Sequence, residues 1–300
     1  FEAPAGVKQQ VLECVAALRE DTREEAALGD FSQHTRNIAV SEAAKELRDL
    51  VVDNEHIAKL AVESGALEAV VLALDERPNS EAVQLKACDA LGQLLQSSPA
   101  SLTLAGEVGA VRVVVAALRQ HPNSEAVQDV ASKTLGVLLG GGSWHRENQA
   151  LAIQAFGVEA LVTTLEHHQT SEDLQKSAAI ALGGLVANSW EGQLRARHVH
   201  GVEALVRTLE RHLASDVVEE YAAEALCLLI VGNEENQRIA CGSGAVASIV
   251  NILSHHRTNA DVQARALAAL GYLVDGNPEG QRLAFEAGAC ALVLTAMKVF

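Results

Sequence analysis

A block of ten residues recurs along this chain at an almost constant spacing, and no other feature restricts the fold as much. Gly65-Ala-Leu-Glu-Ala-Val-Val-Leu-Ala-Leu74 is followed by Gly109-Ala-Val-Arg-Val-Val-Val-Ala-Ala-Leu118, Phe156-Gly-Val-Glu-Ala-Leu-Val-Thr-Thr-Leu165 and His200-Gly-Val-Glu-Ala-Leu-Val-Arg-Thr-Leu209. Two further copies run from Gly244 to Leu253 and from Gly288 to Met297. The closing apolar residues Leu74, Leu118, Leu165, Leu209, Leu253 and Met297 are separated by 44, 47, 44, 44 and 44 residues. Gly140-Gly141-Gly142 accounts for the one longer interval. A single core stops growing at roughly 250–300 residues, and a period of this length predicts stacked repeats, each burying the face its neighbour cannot bury alone.

Each unit carries a second, longer pattern. Val83, Ala87, Ala90, Leu91, Leu94 and Leu95, and again Val262, Ala266, Ala269, Leu270, Leu273 and Val274, mark one face of a helix. Ser80, Ser124, Ser171 and Ser215 precede these helices, each followed at once by Glu or Asp, as suits an N-cap with an acid in the first turn. A third, short element starts at Asn233-Glu-Glu-Asn-Gln and Asn277-Pro-Glu-Gly-Gln, with Asn as N-cap and Pro278 at the first helical position; Ser98-Pro99 repeats the arrangement. The unit is therefore short helix, Gly turn, middle helix, loop, long helix. Only 3% of residues are aromatic although 49% are hydrophobic, which suits many thin Leu, Ala and Val helix contacts and argues against a β-sandwich, a barrel or disorder.

These residues resemble the armadillo repeat over about residues 54–300. The resemblance rests on the Asn-x-x-(Asn/Gly)-Gln start, the Gly-Ala or Gly-Val turn, the Leu-Val-x-x-Leu of the second helix and the Val-Gln-x-x-Ala-x-x-Ala-Leu-Gly-x-Leu of the third. Loops such as His121-Pro-Asn-Ser-Glu-Ala-Val-Gln128 look closest to vacuolar-protein-8-like and protist armadillo arrays. It implies an all-α, right-handed α-solenoid and a non-catalytic scaffold that binds a partner protein along a concave surface lined by the third helices. Residues 1–53 are expected to form an irregular N-terminal repeat, with Val7 to Glu20 as a second helix, 21–36 as a long polar loop and 37–52 as a third helix. The last repeat stops after its second helix, so the array is expected to continue in a longer chain or assembly.

In importin-like and catenin-like members, the resemblance implies an Asn near the end of each third helix that holds a peptide backbone. A Trp one turn earlier lines pockets for Lys or Arg. The Asn column falls here on Asp49, Gln93, Val137, Gly184, Leu228 and Tyr272, and the Trp column on Lys45, Asp89, Lys133, Ile180, Glu224 and Ala268. No Asn and no Trp stands in either, which argues against the grip on a basic extended peptide. What remains as a tentative binding face is Asp89, Gln93, Lys133, Val137, Ile180, Tyr221, Glu224, Leu228 and Tyr272, polar in its N-terminal half and apolar in its C-terminal half. An apolar stripe of this kind favours a partner helix or extended segment; the alternative is that neighbouring repeats or a terminal segment cover it. Gly92, Gly136, Gly183 and Gly271 recur inside the long helices, where each costs about 1 kcal/mol relative to Ala. Close approach of a neighbouring helix is the expected reason, and backbone exposed to a ligand the alternative.

Chemistry has little support. His121, His168, His212 and His256 share one register, but helices about 8–10 Å apart cannot gather them on one metal. Donation to unsatisfied helix-end carbonyls accounts for them better. The pairs His167/His168 and His255/His256, and His198-x-His200, leave room only for adventitious metal binding. The loop Gly140-Gly-Gly-Ser-Trp144-His145 lacks the Lys-Ser/Thr ending of a phosphate-binding loop. It reads as a hinge or a presented contact with Trp144 and Trp190 as anchors, or as two Trp packed under loops. No enzyme motif, cofactor site or metal site is recognisable. Asp and Glu outnumber Lys and Arg by 39 to 23, for a net charge of -16, which repels nucleic acid and anionic lipid. The apolar runs are too short to span a bilayer. Cys14, Cys88, Cys227, Cys241 and Cys290 are odd in number and mostly set among Ala and Leu, which suits reduced, buried thiols and an intracellular, cytoplasmic location.

Overall fold

The computed structural model describes residues 5–19, 30–96, 99–140 and 145–299. Among them are nineteen α-helices and no strand. They form two compact units, divided after Phe156. The first holds α1 (Ala5–Leu18), α2 (Asp30–Val51), α3 (Glu55–Glu63), α4 (Ala66–Glu76), α5 (Glu81–Leu95), α6 (Pro99–Glu107), α7 (Ala110–Gln120), α8 (Glu125–Leu139) and α9 (His145–Gln154). The second holds α10 (Gly157–His167), α11 (Glu172–Val186), α12 (Trp190–His198), α13 (Gly201–Arg211), α14 (Asp216–Ile230), α15 (Glu234–Gly242), α16 (Ala245–His255), α17 (Ala260–Val274), α18 (Pro278–Glu286) and α19 (Ala289–Val299).

The expected order of short, middle and long helices is realised in α3–α5, α6–α8, α12–α14 and α15–α17. Asn54, Ser189, Asn233 and Asn277 cap the short helices by accepting from the N–H three residues on; Ser98 lies outside the described residues. The turn into each middle helix requires a left-handed residue. Glycine supplies it at Gly65, Gly109, Gly244 and Gly288, whereas Phe156 and His200 take the same conformation with φ of 70° and 60°. Leu67, Val70 and Leu74 of α4 bury completely or nearly so against α5, and Leu205, Val206 and Leu209 of α13 repeat the pattern against α14. Each such Leu contributes about 1.5–3 kcal/mol of transfer free energy.

At the N-terminus, α1 packs on α2 and α4, and α2 lies beside α5, so they hold second-helix and third-helix places. The long polar loop expected over 21–36 does not cover that span: helix α2 already begins at Asp30, and 20–29 lie outside the described residues. The third helix expected over 37–52 is accordingly longer at its start. The helix pattern carries on upstream because no proline or glycine interrupts residues 31–36.

Where the short helices α9, α12, α15 and α18 cross the end of the preceding long one, Asn and Gly alternate. Asn148 Nδ2 donates to Leu138 O at 2.9 Å and Asn236 Nδ2 to Leu229 O at 2.8 Å. At Gly192 and Gly280 the backbone itself comes so close to Leu185 O and Leu273 O that a Cβ would collide. Either solution fits the crossing: the side chain bonds the carbonyl, or its absence admits the helix.

Candidate functional site

Third helices lie side by side within each unit, α2–α5–α8 in the first and α11–α14–α17 in the second. The glycines inside them explain part of this closeness. A Cβ on Gly92 would meet Thr134 Oγ1 of the adjacent α8 at 3.0 Å, and one on Gly183 would meet Leu228 Cδ1 of α14 at 3.4 Å. Gly271 faces open space, so helix approach does not explain that position.

The outward strip of these helices carries the expected face, partly committed to internal pairs. Asp89 is bound by Arg48 of α2 at 3.2 Å, and Glu224 by Arg265 of α17 at 3.2 Å. Lys133 pairs with Asp129 of its own helix at 2.6 Å. The Lys176 ammonium stands 5.7 Å above the Tyr221 ring, tying α11 to α14. The apolar members stay accessible: Ile180 is 37% and Tyr272 38% exposed, with Leu228 and Tyr221 half-buried between them. In the first unit Gln93 and Val137 line a recess of about 880 Å³ with Val51, Asn54 and Gly140.

Trp190, at the first position of α12, is 63% exposed and lines a recess of about 570 Å³ with Arg197, Arg238, Asn277 and Pro278. It is not packed under a loop. Trp144 and residues 141–143 of the glycine insertion lie outside the described residues. Cys14, Cys88, Cys227 and Cys241 are buried, but Cys290 is exposed on α19, contrary to the expectation for all five. Burial pushes the Cys88 thiol up to about 12, which makes it a poor nucleophile. Among the described residues no group of three His, Cys, Asp or Glu is placed to hold a metal, and no single helix is long and apolar enough to cross a membrane.

The histidine and serine registers prove to be seams between repeats. His121 Nε2 bonds Pro78 O at 2.8 Å, His212 Nε2 bonds Gln169 O at 2.9 Å and His256 Nε2 bonds Leu213 O at 3.0 Å. The acceptors are carbonyls, as expected, but each belongs to the loop of the preceding repeat. The serines likewise reach backward. Ser124 Oγ donates to Glu81 at 2.6 Å and Ser215 Oγ to Glu172 at 2.8 Å, and Asn259 Nδ2 donates to Asp216 at 2.8 Å. Ser124 also accepts from Val127 N, whereas Ser80, Ser171 and Ser215 stand at the N-cap position without such a bond to their own helix, so only one of the four expected serine caps forms. The first-turn acids are therefore acceptors for the next repeat as well as partners of the helix dipole.

Within four repeats a buried glutamine ties the long helix to the end of the middle helix before it. Gln84, Gln128, Gln175 and Gln263 donate from Nε2 to the carbonyl ten residues back, those of Leu74, Leu118, Leu165 and Leu253. They also donate to the carbonyl seven residues back, those of Arg77, His121, His168 and His256. The same register in α14 holds Glu219, fully buried. Its Oε2 lies 2.7 Å from His256 Nε2, whose Nδ1 lies 2.6 Å from Asp216 Oδ1. Burial, with the Asp216 charge adding to it, pushes the Glu219 carboxyl up to about 8. Glu219 is not among the residues singled out in the sequence. Its signal in the sequence is a Glu in the place where the four neighbouring repeats carry Gln.

No family model and no curated protein matches the sequence. Solved structures do resemble the fold. One is a designed armadillo repeat protein in complex with the peptide (KR)4, 23% identical with a TM-score of 0.66 over 88% of this chain and 99% of that one. Another is a computationally designed armadillo repeat protein for modular peptide recognition, 24% identical with a TM-score of 0.69 over 87% of this chain and 99% of that one. A third comes from work on a phosphorylation switch in the interaction between cadherin and β-catenin; it is 18% identical with a TM-score of 0.75 over 95% of this chain and 49% of that one. The fold is thus an all-α, armadillo-like repeat fold.

Proposed function

We propose that the chain is a non-catalytic scaffold that binds a segment of a partner protein along its third helices. The observation that carries this is the apolar strip of Ile180, Tyr221, Leu228 and Tyr272 across α11, α14 and α17. Water-exposed apolar area of this kind gains free energy when a partner covers it. Armadillo-like structures solved for peptide recognition support the reading in general terms. An apolar helical or extended segment suits the strip better than a basic peptide, because Asp89 and Glu224 are already engaged by arginines. An intracellular, cytoplasmic setting belongs to the same proposal and rests on five free thiols. The kinship with vacuolar-protein-8-like arrays rests on the His121–Gln128 loop alone.

Selection from a displayed peptide library, followed by affinity measurement on the doubly substituted Leu228→Glu, Tyr272→Glu chain, tests the reading. The selected peptides should be rich in apolar residues and should lose about thirtyfold in affinity, the equivalent of about 2 kcal/mol for a lost hot spot, with the circular dichroism spectrum unchanged. Equal binding by the substituted chain refutes it. A second reading, a structural or regulatory segment contacting partners through loops and ends, is favoured by the exposure of Trp190. Peptides lost on Trp190→Ala and kept by the double variant would establish that one instead.

A further inference from the structure

Four repeats use a buried glutamine to supply two N–H bonds to two backbone carbonyls, and one repeat puts a carboxyl group in that place. The carbonyls corresponding to the glutamine acceptors are those of Leu209 and His212. An ionised Glu219 has no proton to offer them. Nor does it gain one from its neighbour: the Nε2 of His256 is bonded to Leu213 O, and neither carboxyl oxygen of Glu219 receives a hydrogen bond, although Oε2 lies 2.7 Å from that nitrogen. A buried carboxylate without donors is costly, and adding a proton removes the charge and gives the group one donor of its own.

We propose that Glu219, with His256 and Asp216, forms a proton-operated latch at the seam between the α12–α14 repeat and the α15–α17 repeat, closed while Glu219 holds its proton and loosened when it ionises. The surroundings leave few other controls. Glu172 of α11 is taken by Ser215, and Lys176 of that helix stands over Tyr221. His212, after α13, is bonded to Gln169 O. His255 and Arg257, beside the end of α16, bond Asn251 O and Ser254 O, and Arg265 of α17 pairs with Glu224. Helices α12 and α15 cross the other end of α14, where Gln193 bonds Leu228 O and Asn236 bonds Leu229 O. Asp216 and His256 are therefore the ionisable side chains in direct reach of Glu219 among the described residues.

The direction follows from where the proton is held. The folded chain keeps it to about pH 8, and the unfolded chain releases it near the ordinary value of 4.5. The folded state thus binds more protons within this window. The contribution of this group to stability is full below about pH 4.5 and is lost as the pH rises through 8, by at most about tenfold in the folding constant per pH unit. Asp216 already accepts from Asn259, and a second carboxylate on the same imidazole adds repulsion when Glu219 ionises.

The experiment compares the whole chain with its Glu219→Gln variant, which installs the residue found in the other four repeats. Hydrogen exchange over residues 201–275, corrected for intrinsic rates, is followed at pH 6 and pH 8.5, together with urea midpoints. The latch predicts that exchange over α13, α14 and the loop after α16 rises at least tenfold more in the wild type than in the variant, and that the variant is the more stable chain at pH 8.5. Identical pH profiles overturn it. An independent readout is the infrared band of a protonated carboxylic acid at pH 6.5 in the wild type; its absence overturns the proposal whether or not the variant folds.

Discussion

Replacing Gln175 by Met removes the donor that ties α11 to the end of α10 while nearly preserving volume, which makes its cost computable. Gln175 is 1% exposed, donates to Leu165 O at 2.9 Å and His168 O at 3.1 Å, and accepts from Thr208 Oγ1 at 2.6 Å. Leu165 lies in the last turn of α10, where the helix supplies no N–H of its own. Its carbonyl becomes an unsatisfied buried acceptor, worth about 1–3 kcal/mol. His168 O keeps the Ser171 N–H and Thr208 keeps its bond to Ala204 O, so each loses only a shared partner, about 0.5–1 kcal/mol apiece. The sum is about 2–5 kcal/mol of local stability. Repeat proteins unfold in segments, so the assay is hydrogen exchange of α10 and α11 amides alongside urea unfolding by circular dichroism. A loss below about 0.5 kcal/mol would show that the glutamine column does not hold the long helix to the middle helix of its repeat.

Two further substitutions probe the packing directly. Gly192→Ala should destabilise α12 by more than about 2 kcal/mol, since the added methyl collides with Leu185 O. Gly271→Ala, inside the long helix α17 and facing open space, should stabilise by about 1 kcal/mol; thermal melts that rank the two in the opposite order would refute this. Glu224→Gln should weaken the α14–α17 contact by no more than about 1 kcal/mol in urea unfolding, because the Arg265 pair is partly solvated. It should leave the affinity for an apolar peptide unchanged within about twofold, since its carboxylate already has a partner.

Helix number, order and the Asn caps of the short helices were legible because they depend on residues close in sequence, whereas Ser80, Ser171 and Ser215 hold N-cap positions without the expected side-chain bond. Asn54 and Asn277 lie three residues from the N–H groups they accept from. The seams were legible only in residue type. His256 was readable as a donor to a carbonyl and Ser215 as a cap, but their partners lie 43 residues away, in the preceding repeat. No rule internal to one repeat can choose between a helix-end carbonyl of its own and one of its neighbour. The same limit applies to the candidate face. Asp89 and Glu224 stood out by position, and their pairing with Arg48 and Arg265 depends on helix spacing and side-chain reach. Trp190 was recognisable as a large aromatic at a helix start, and only the fold shows that it is open to water.

Apolar stripes alone do not determine how one repeat sits on the next. A surface of Leu, Val and Ala can slide by a residue or a turn with little change in buried area, because the hydrophobic effect is non-directional. Hydrogen bonds are directional, and here they recur at a separation of 43 residues from the His ring to the carbonyl and from the cap to the carboxylate. Sliding by one position breaks both kinds and leaves buried carbonyls unpaired, so these bonds select the register even where each adds little net stability. This reasoning also explains why Glu219 matters more than its single charge would suggest. It sits where the His256 bond, the Asp216 to Asn259 bond and the glutamine position converge, so its proton acts on the contacts that select register, while the apolar packing around it is indifferent to pH.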